Sequence, residues 1–289
     1  ANYDVCVMAR GPVVWPYLET IKACAPNLRL IFNTVDLHYL RELRQAELAN
    51  DQSASEAAVM LREQELELID KCDLTILLSN EELYTVRELR KEAPLTVLPV
   101  VFREIPGAAQ GYEQRRDILF IGSFPHKPNI DAVVYFAESI FPIVKRQIPE
   151  ISFKVIGANP PEEIRRLAAI PGIEILGFVK DLEPIFTNTR LTVAPIRYGA
   201  GIKGKIGTSL CYGVPCVATP MAVEGMGLTP GLNVLIAESS EAFANVMCDV
   251  YRNAELWQLI SSEGHKFALA NYSVEVITER VRNILFSVN

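Results

Sequence analysis

The chain has 289 residues, 49% of them hydrophobic and 22% charged, with a formal net charge of −7. That length suffices for two ordinary domains, and the apolar content excludes an intrinsically disordered chain. The negative balance excludes a nucleic-acid or anionic-membrane surface spread over the whole molecule, so any anion site has to be a local cluster.

The opening stretch, ANYDVCVMARGP, lacks the charged and apolar regions of a signal peptide, and no apolar run reaches the length of a membrane span. Four apolar runs, YDVCVMA, LRLIFNT, DLTILLS and LTVLPV, read as strands of the first hundred residues. Ser53 and Glu56 have capping-box spacing at the start of a long charged helix, SEAAVMLREQELELIDK, whose charges read as a solvated face. In the first half, NTVDLHYLRELR sets Asn33, Asp36, His38, Arg41 and Arg44 at the end of a strand and into a helix. Asp36 there is either an ordinary helix cap or, with His38, part of a cleft cluster suited to acceptor binding or proton handling.

A Gly-, Pro- and polar-rich stretch, REIPGAAQGYEQRR, reads as a linker, which divides the chain into residues 1–105, a linker over 106–116 and residues 117–289. The second part carries six further strand candidates, DILFIG, ISFKVIG, GIEILG, LTVAPI, PCVATP and NVLIAE, mostly separated by helix-length stretches. Near-continuous Val/Ile/Leu strands alternating with helices predict a parallel sheet covered on both faces, in a doubly wound α/β domain. The tail from Glu241 to Val288 reads as three helices.

Ligands of such sheets bind at the carboxyl ends of the strands, so the loops there carry the functional reading. Gly122 and Ser123 follow the first strand of the second part and precede a helix starting near Pro128, an arrangement for either an anion or a plain tight turn. After the fourth strand, RYGAGIKGKIG (residues 197–207) alternates Gly199, Gly201, Gly204 and Gly207 with Arg197, Lys203 and Lys205. Glycine frees backbone amides, Arg suits a pair of oxygens and Lys acts as a point charge, so this loop predicts a diphosphate clamp; the competing reading is a solvated basic turn. It is no Walker loop, because Ile206 follows Gly204-Lys205. The chain has no D-x-D pair, its histidines (His38, His126, His265) are scattered, and its six cysteines form no zinc-type or C-x-x-C spacing. No metal or other cofactor is expected, and a reduced, cytoplasmic setting fits.

The combination GSFPHKPNIDAV, GIEILGFVKDLEPIF, R-x-G-x-G-x-K-x-K, YGVPCVAT and VEGM resembles the carboxyl-terminal domain of group 1 glycosyltransferases over residues 117–289, and NTVDLHYLRELR with DLTILLSNEE is similar to the later part of their amino-terminal domain. The resemblance implies a GT-B fold of two Rossmann-like domains with parallel sheets, the first incomplete by strand count, as in either a fragment of a longer polypeptide or a shortened member of the family. It implies a retaining, metal-independent hexosyltransferase with a nucleotide-sugar donor and a glycan or lipid-linked acceptor. On the same footing Gly122, Ser123 and Gly201 would line the donor phosphates and Arg197, Lys203 and Lys205 would neutralise them. Phe178 and Val179 would hold the base, Thr208 would reach the ribose, and Asp36 and His38 would face the acceptor. The family's paired glutamates are replaced: Gly199-Ala200-Gly201 fills the loop and Thr208 the later position, with Glu224 the nearest carboxylate. A non-catalytic GT-B module and a nucleotide-sugar epimerase are the other readings.

Overall fold

A computed structural model describes residues 3–286. All ten strand candidates are strands, arranged in two separate parallel sheets. The first sheet runs β1 (Val5–Ala9), β2 (Arg29–Asn33), β3 (Leu74–Leu77) and β4 (Leu95–Val97) in simple sequence order. Its core is Phe32, Leu37, Leu66, Ile69, Leu77 and their neighbours, packed beneath the helices that connect the strands. The second sheet contains β5 (Arg116–Ile121), β6 (Phe153–Ile156), β7 (Ile173–Gly177), β8 (Thr189–Ala194), β9 (Cys216–Ala218) and β10 (Leu235–Ile236). They lie in the order β10-β9-β8-β5-β6-β7, the doubly wound arrangement in which the chain reverses direction across the sheet between β5 and β8. β8 is buried along its whole length, which is why it reads as an unbroken apolar run rather than an alternation.

The stretch joining the domains is laid firmly onto the second domain. Arg115, 1% exposed, donates from Nε to the Gln110 carbonyl and from Nη1 to the carbonyls of Phe186 and Thr189, and its guanidinium lies 5.3 Å from the Trp257 ring centroid. Phe102 packs on Tyr272 with ring centroids 5.7 Å apart.

Three helices follow the second sheet, Ser240–Arg252, Ala254–Tyr272 and Val274–Phe286, as the tail predicts; the expected end at Val288 lies outside the described residues. The last of them returns to the first domain, where Arg29 Nη1 donates to the carbonyls of Ile284 and Leu285, each at 3.4 Å. No helix among the described residues is long and apolar enough to cross a membrane.

Two local expectations are corrected. The long helix of the first domain spans Gln52–Lys71 and is capped by Asp51, whose carboxylate accepts from Ala54 N at 3.0 Å; Ser53 already lies inside the helix. Its charges are not all solvated either, because Glu65 is 1% exposed.

Candidate active site

The carboxyl ends of β5 and β8, either side of the reversal point, face the first domain across a cleft of about 650 Å³. From the first domain it is lined by Arg10, Asp36, His38 and Arg41; from the second, by Ser123, by Pro125 to Pro128 and by Ala200 to Lys205. Two helices begin at its wall, Lys127–Tyr135 after Ser123 and Gly204–Cys211 after Lys203. The glycine-rich stretch is therefore a loop only as far as Lys203, and its last four residues form the first turn of a helix. Neither helix has a side-chain cap, although Asn129 N and Ile206 N bond back to the carbonyls of His126 and Lys203, each at 2.9 Å, and the positive dipole end of each helix lies at the cleft wall.

The two loops are tied together. Lys205 Nζ donates to Asn129 Oδ1 at 2.8 Å, and Asn129 Nδ2 donates to the Ser123 carbonyl at 2.8 Å. Gly122 lies directly beneath this link: a Cβ there would stand 2.8 Å from Asn129 Cγ, so only glycine fits. Lys203 curls over its own loop, donating to the carbonyls of Ala200 at 3.1 Å and Gly201 at 2.6 Å. Burial pulls the Lys203 pKa down to about 8 against the pull of Glu224, and burial together with the Lys203 charge pulls Lys205 down to about 7. His126, which precedes the helix at Lys127, is pushed down to about 4 by burial and by Lys205 and Arg41. Burial thus disfavours the charged form of both lysines, and a nearby negative charge would favour it.

On the opposite wall Asp36 caps nothing. Its carboxylate pairs with Arg41 Nη1 at 2.5 Å and lies 3.3 Å from His38 Nδ1. The helix His38–Ala49 starts from Leu37, and its first N–H groups are met by Glu65 of the neighbouring helix: His38 N to Oε1 at 3.1 Å, Tyr39 N to Oε2 at 3.0 Å. Burial opposes charge on His38, but the hydrogen bond to Glu65 and the charges of Asp36 and Glu65 outweigh it and raise its pKa.

The domains meet at the cleft floor. Gly201 has φ +69°, and a Cβ there would stand 2.8 Å from Asp36 Cβ, so the second domain's loop touches the first domain's through a position that suits glycine twice over. Arg44 holds Glu224 in a two-pronged ion pair, Nη1–Oε2 2.6 Å and Nη2–Oε1 2.7 Å, and donates to the Gly199 carbonyl at 2.7 Å. Below it Glu82, 6% exposed, accepts from Leu78 N at 2.9 Å through Oε2 while Oε1 has no partner; burial pushes its pKa up to about 7.

Of the residues singled out in the sequence, the structure brings Asp36, His38, Ser123, Gly201, Lys203 and Lys205 to one cleft, with Gly122 packed behind it. Arg197 does not line it: its guanidinium is drawn away onto the Asp131 carboxylate and stacks 4.9 Å from the Tyr135 ring centroid. Glu224 is occupied by Arg44, and Thr208 lies a turn into its helix, its hydroxyl donating to the Gly204 carbonyl at 2.9 Å. Phe178, 74% exposed, and Val179, half-buried against a small apolar cluster, follow β7, two strands away from β5. The histidines are less scattered than their spacing suggests, since His38 and His126 line the same cleft from opposite domains. Among the described residues no group of three or more His, Cys, Asp or Glu is placed to hold a metal ion.

Residues 115–253 match the family described as glycosyl transferases group 1. The chain is 21% identical over 164 residues to a 44.6 kDa protein of the Klebsiella pneumoniae cps region, an alignment covering 54% of this chain and 42% of that protein. Sucrose-phosphate synthase of Thermosynechococcus elongatus superposes with a TM-score of 0.77 at 14% identity, over 98% of this chain and 73% of that one. HepE of Anabaena, solved with UDP and glucose, superposes with a TM-score of 0.74 at 15% identity, over 99% of this chain and 78% of that one. The chain has the GT-B fold, and its second domain is similar to the glycosyl transferases of group 1 over residues 115–253.

Proposed function

We propose that the chain is the catalytic part of a retaining glycosyltransferase that moves a hexose from a nucleotide sugar to a glycan or lipid-linked acceptor without a metal ion. The reading is carried by one observation: two helix amino-termini, Lys203 and Lys205 converge on one interdomain cleft at the reversal point of the second sheet. The donor diphosphate sits against Ser123 and the first turns at Lys127 and Gly204. Lys203 turns from its own carbonyls to the phosphate oxygens, and with Lys205 it neutralises the leaving nucleoside diphosphate as the glycosidic bond breaks. Protein cations at the phosphates do the work that a divalent ion does in other transferases. Asp36 and His38 face the sugar and acceptor from the first domain, and the contacts at Gly201 and Arg44–Glu224 hold the domains close enough to exclude water.

Incubating the protein with nucleotide sugars in the presence and absence of candidate acceptors tests this reading. Proton NMR should show a glycoside with the donor's anomeric configuration, formed only when acceptor is added. A new nucleotide sugar without acceptor would instead identify an epimerase, and an inverted product would overturn the retaining assignment.

A further inference from the structure

We infer that Glu65 is a positioning residue that fixes His38 in one tautomer and presents its Nε2 to the cleft. The inference rests on the transfer reading of that cleft, but the contacts that carry it are independent of it. Glu65 lies on the helix Gln52–Lys71 and does not line the cleft. Oxygens surround His38 Nδ1: Glu65 Oε1 at 3.2 Å, the Asp36 carbonyl at 3.1 Å and Asp36 Oδ1 at 3.3 Å. Three acceptors around one ring nitrogen place the hydrogen there. Among the described residues Nε2 has no hydrogen-bond partner, and His38 is one of the residues that line the cleft. Nε2 is therefore the ring atom left to meet a substrate, accepting a hydrogen bond when the ring is neutral and donating one when it is charged.

Glu65 is the group that gives this orientation rigidity. Asp36 is shared with Arg41, whereas both Glu65 oxygens are spent on the helix that carries His38: the N–H groups of His38 and Tyr39 and the imidazole itself. One carboxylate thus sets the helix start and the ring together, and a negative charge at that helix end is favoured by the dipole. The wall beside it is tight. A Cβ on Gly11 would come within 3.1 Å of Glu65 Cγ and Oε1, so the turn after β1 closes over the carboxylate and keeps it from water. The charged groups facing His38 are Asp36 and Arg41 from its own loop and helix and Glu65 from the neighbouring helix; across the cleft stand His126, Lys203 and Lys205.

Glu65→Gln keeps the size and one acceptor oxygen but removes the charge. Nitrogen-15 NMR of the histidine rings, with His38 assigned through His38→Asn, reads the tautomer and the titration directly in the unliganded chain. The wild type should show an Nδ1–H ring. In Glu65→Gln the Nδ1–H signature should weaken and the His38 midpoint fall by about one pH unit. Turnover should fall about tenfold, with the kcat pH profile displaced by the same interval and donor-nucleotide affinity held within about twofold. Should Glu65→Gln fail to fold, Glu65→Asp retains the charge one methylene further away and should give a smaller displacement of the same sign. An unmoved His38 titration in a folded variant, or an Nε2–H ring in the wild type, overturns the inference. A displaced titration in a chain with no transferase activity upholds the Glu65–His38 link and removes the transfer reading instead.

Discussion

Nucleotide binding should draw protons from solution. In the free chain burial holds Lys205 near a pKa of about 7 and Lys203 near about 8. At pH 8 the first is then roughly one-tenth protonated and the second about half. A diphosphate between them favours the charged form of both, so its binding returns roughly 1.4 protons to the lysines. The sign is fixed by the direction of the shifts: the complex holds more protons than the free chain, so affinity falls as pH rises above 7. At pH 6 both lysines are already charged and their uptake is close to zero. His126, pushed down to about 4, stays neutral throughout. The assay is calorimetric titration of the tightest-binding nucleotide at pH 8 in buffers of different ionisation enthalpy. The slope of observed heat against buffer enthalpy gives the proton count, and Lys205→Met should lower it by about one. Tight binding with a buffer-independent heat at pH 8 would refute the reasoning, because the lysines would then be either charged beforehand or uninvolved.

Other outcomes follow from the same contacts. Arg44→Ala leaves Glu224 unpaired at the domain junction, and a double-mutant cycle with Glu224→Gln in urea unfolding should give a coupling of about 1 kcal/mol, modest because both side chains are partly solvated. Gly201→Ala combines a left-handed backbone cost of about 1 kcal/mol with a contact at 2.8 Å to Asp36, so hydrogen exchange should quicken on both sides of the cleft floor. Glu82 is raised to about 7 by burial, so the native state holds a proton that the unfolded chain has lost between pH 4.5 and 7. Its favourable contribution is present below pH 4.5 and lost as pH rises through 7, and Glu82→Gln should therefore stabilise the chain by on the order of 2 kcal/mol at pH 8 and by nothing at pH 4.

The sheets were the legible part of this sequence because parallel strands buried on both faces leave unbroken apolar runs, and none is clearer than TRLTVA in β8. The rule that ligands meet the carboxyl ends of such strands points to Ser123, Lys203 and Lys205, and the structure sets these three around one cleft. Side-chain direction was not legible. Arg197 is grouped by the sequence with Lys203 and Lys205, but Asp131 and Tyr135, some 65 residues earlier, draw it away from the cleft. Glu224, a carboxylate near the glycine-rich loop in sequence, is held by Arg44 from the other domain, a contact that depends on how the domains dock. Glu65 was overlooked among the charges of its helix, although a signal was present. Ala58, Leu61, Glu65, Leu68 and Cys72 are spaced by three and four residues, so the glutamate falls on the apolar stripe and had to be buried with partners.

The central claim is that the cleft between Ser123, Lys203 and the first domain holds a nucleoside diphosphate, and direct titration with UDP, GDP, ADP and CMP in the presence of a chelator tests it. One nucleotide should bind in the micromolar range, more weakly at higher salt, and Lys203→Ala should weaken it at least tenfold while leaving the unfolding transition cooperative. Absence of binding by all four, or binding that Lys203→Ala leaves unchanged, would contradict the account.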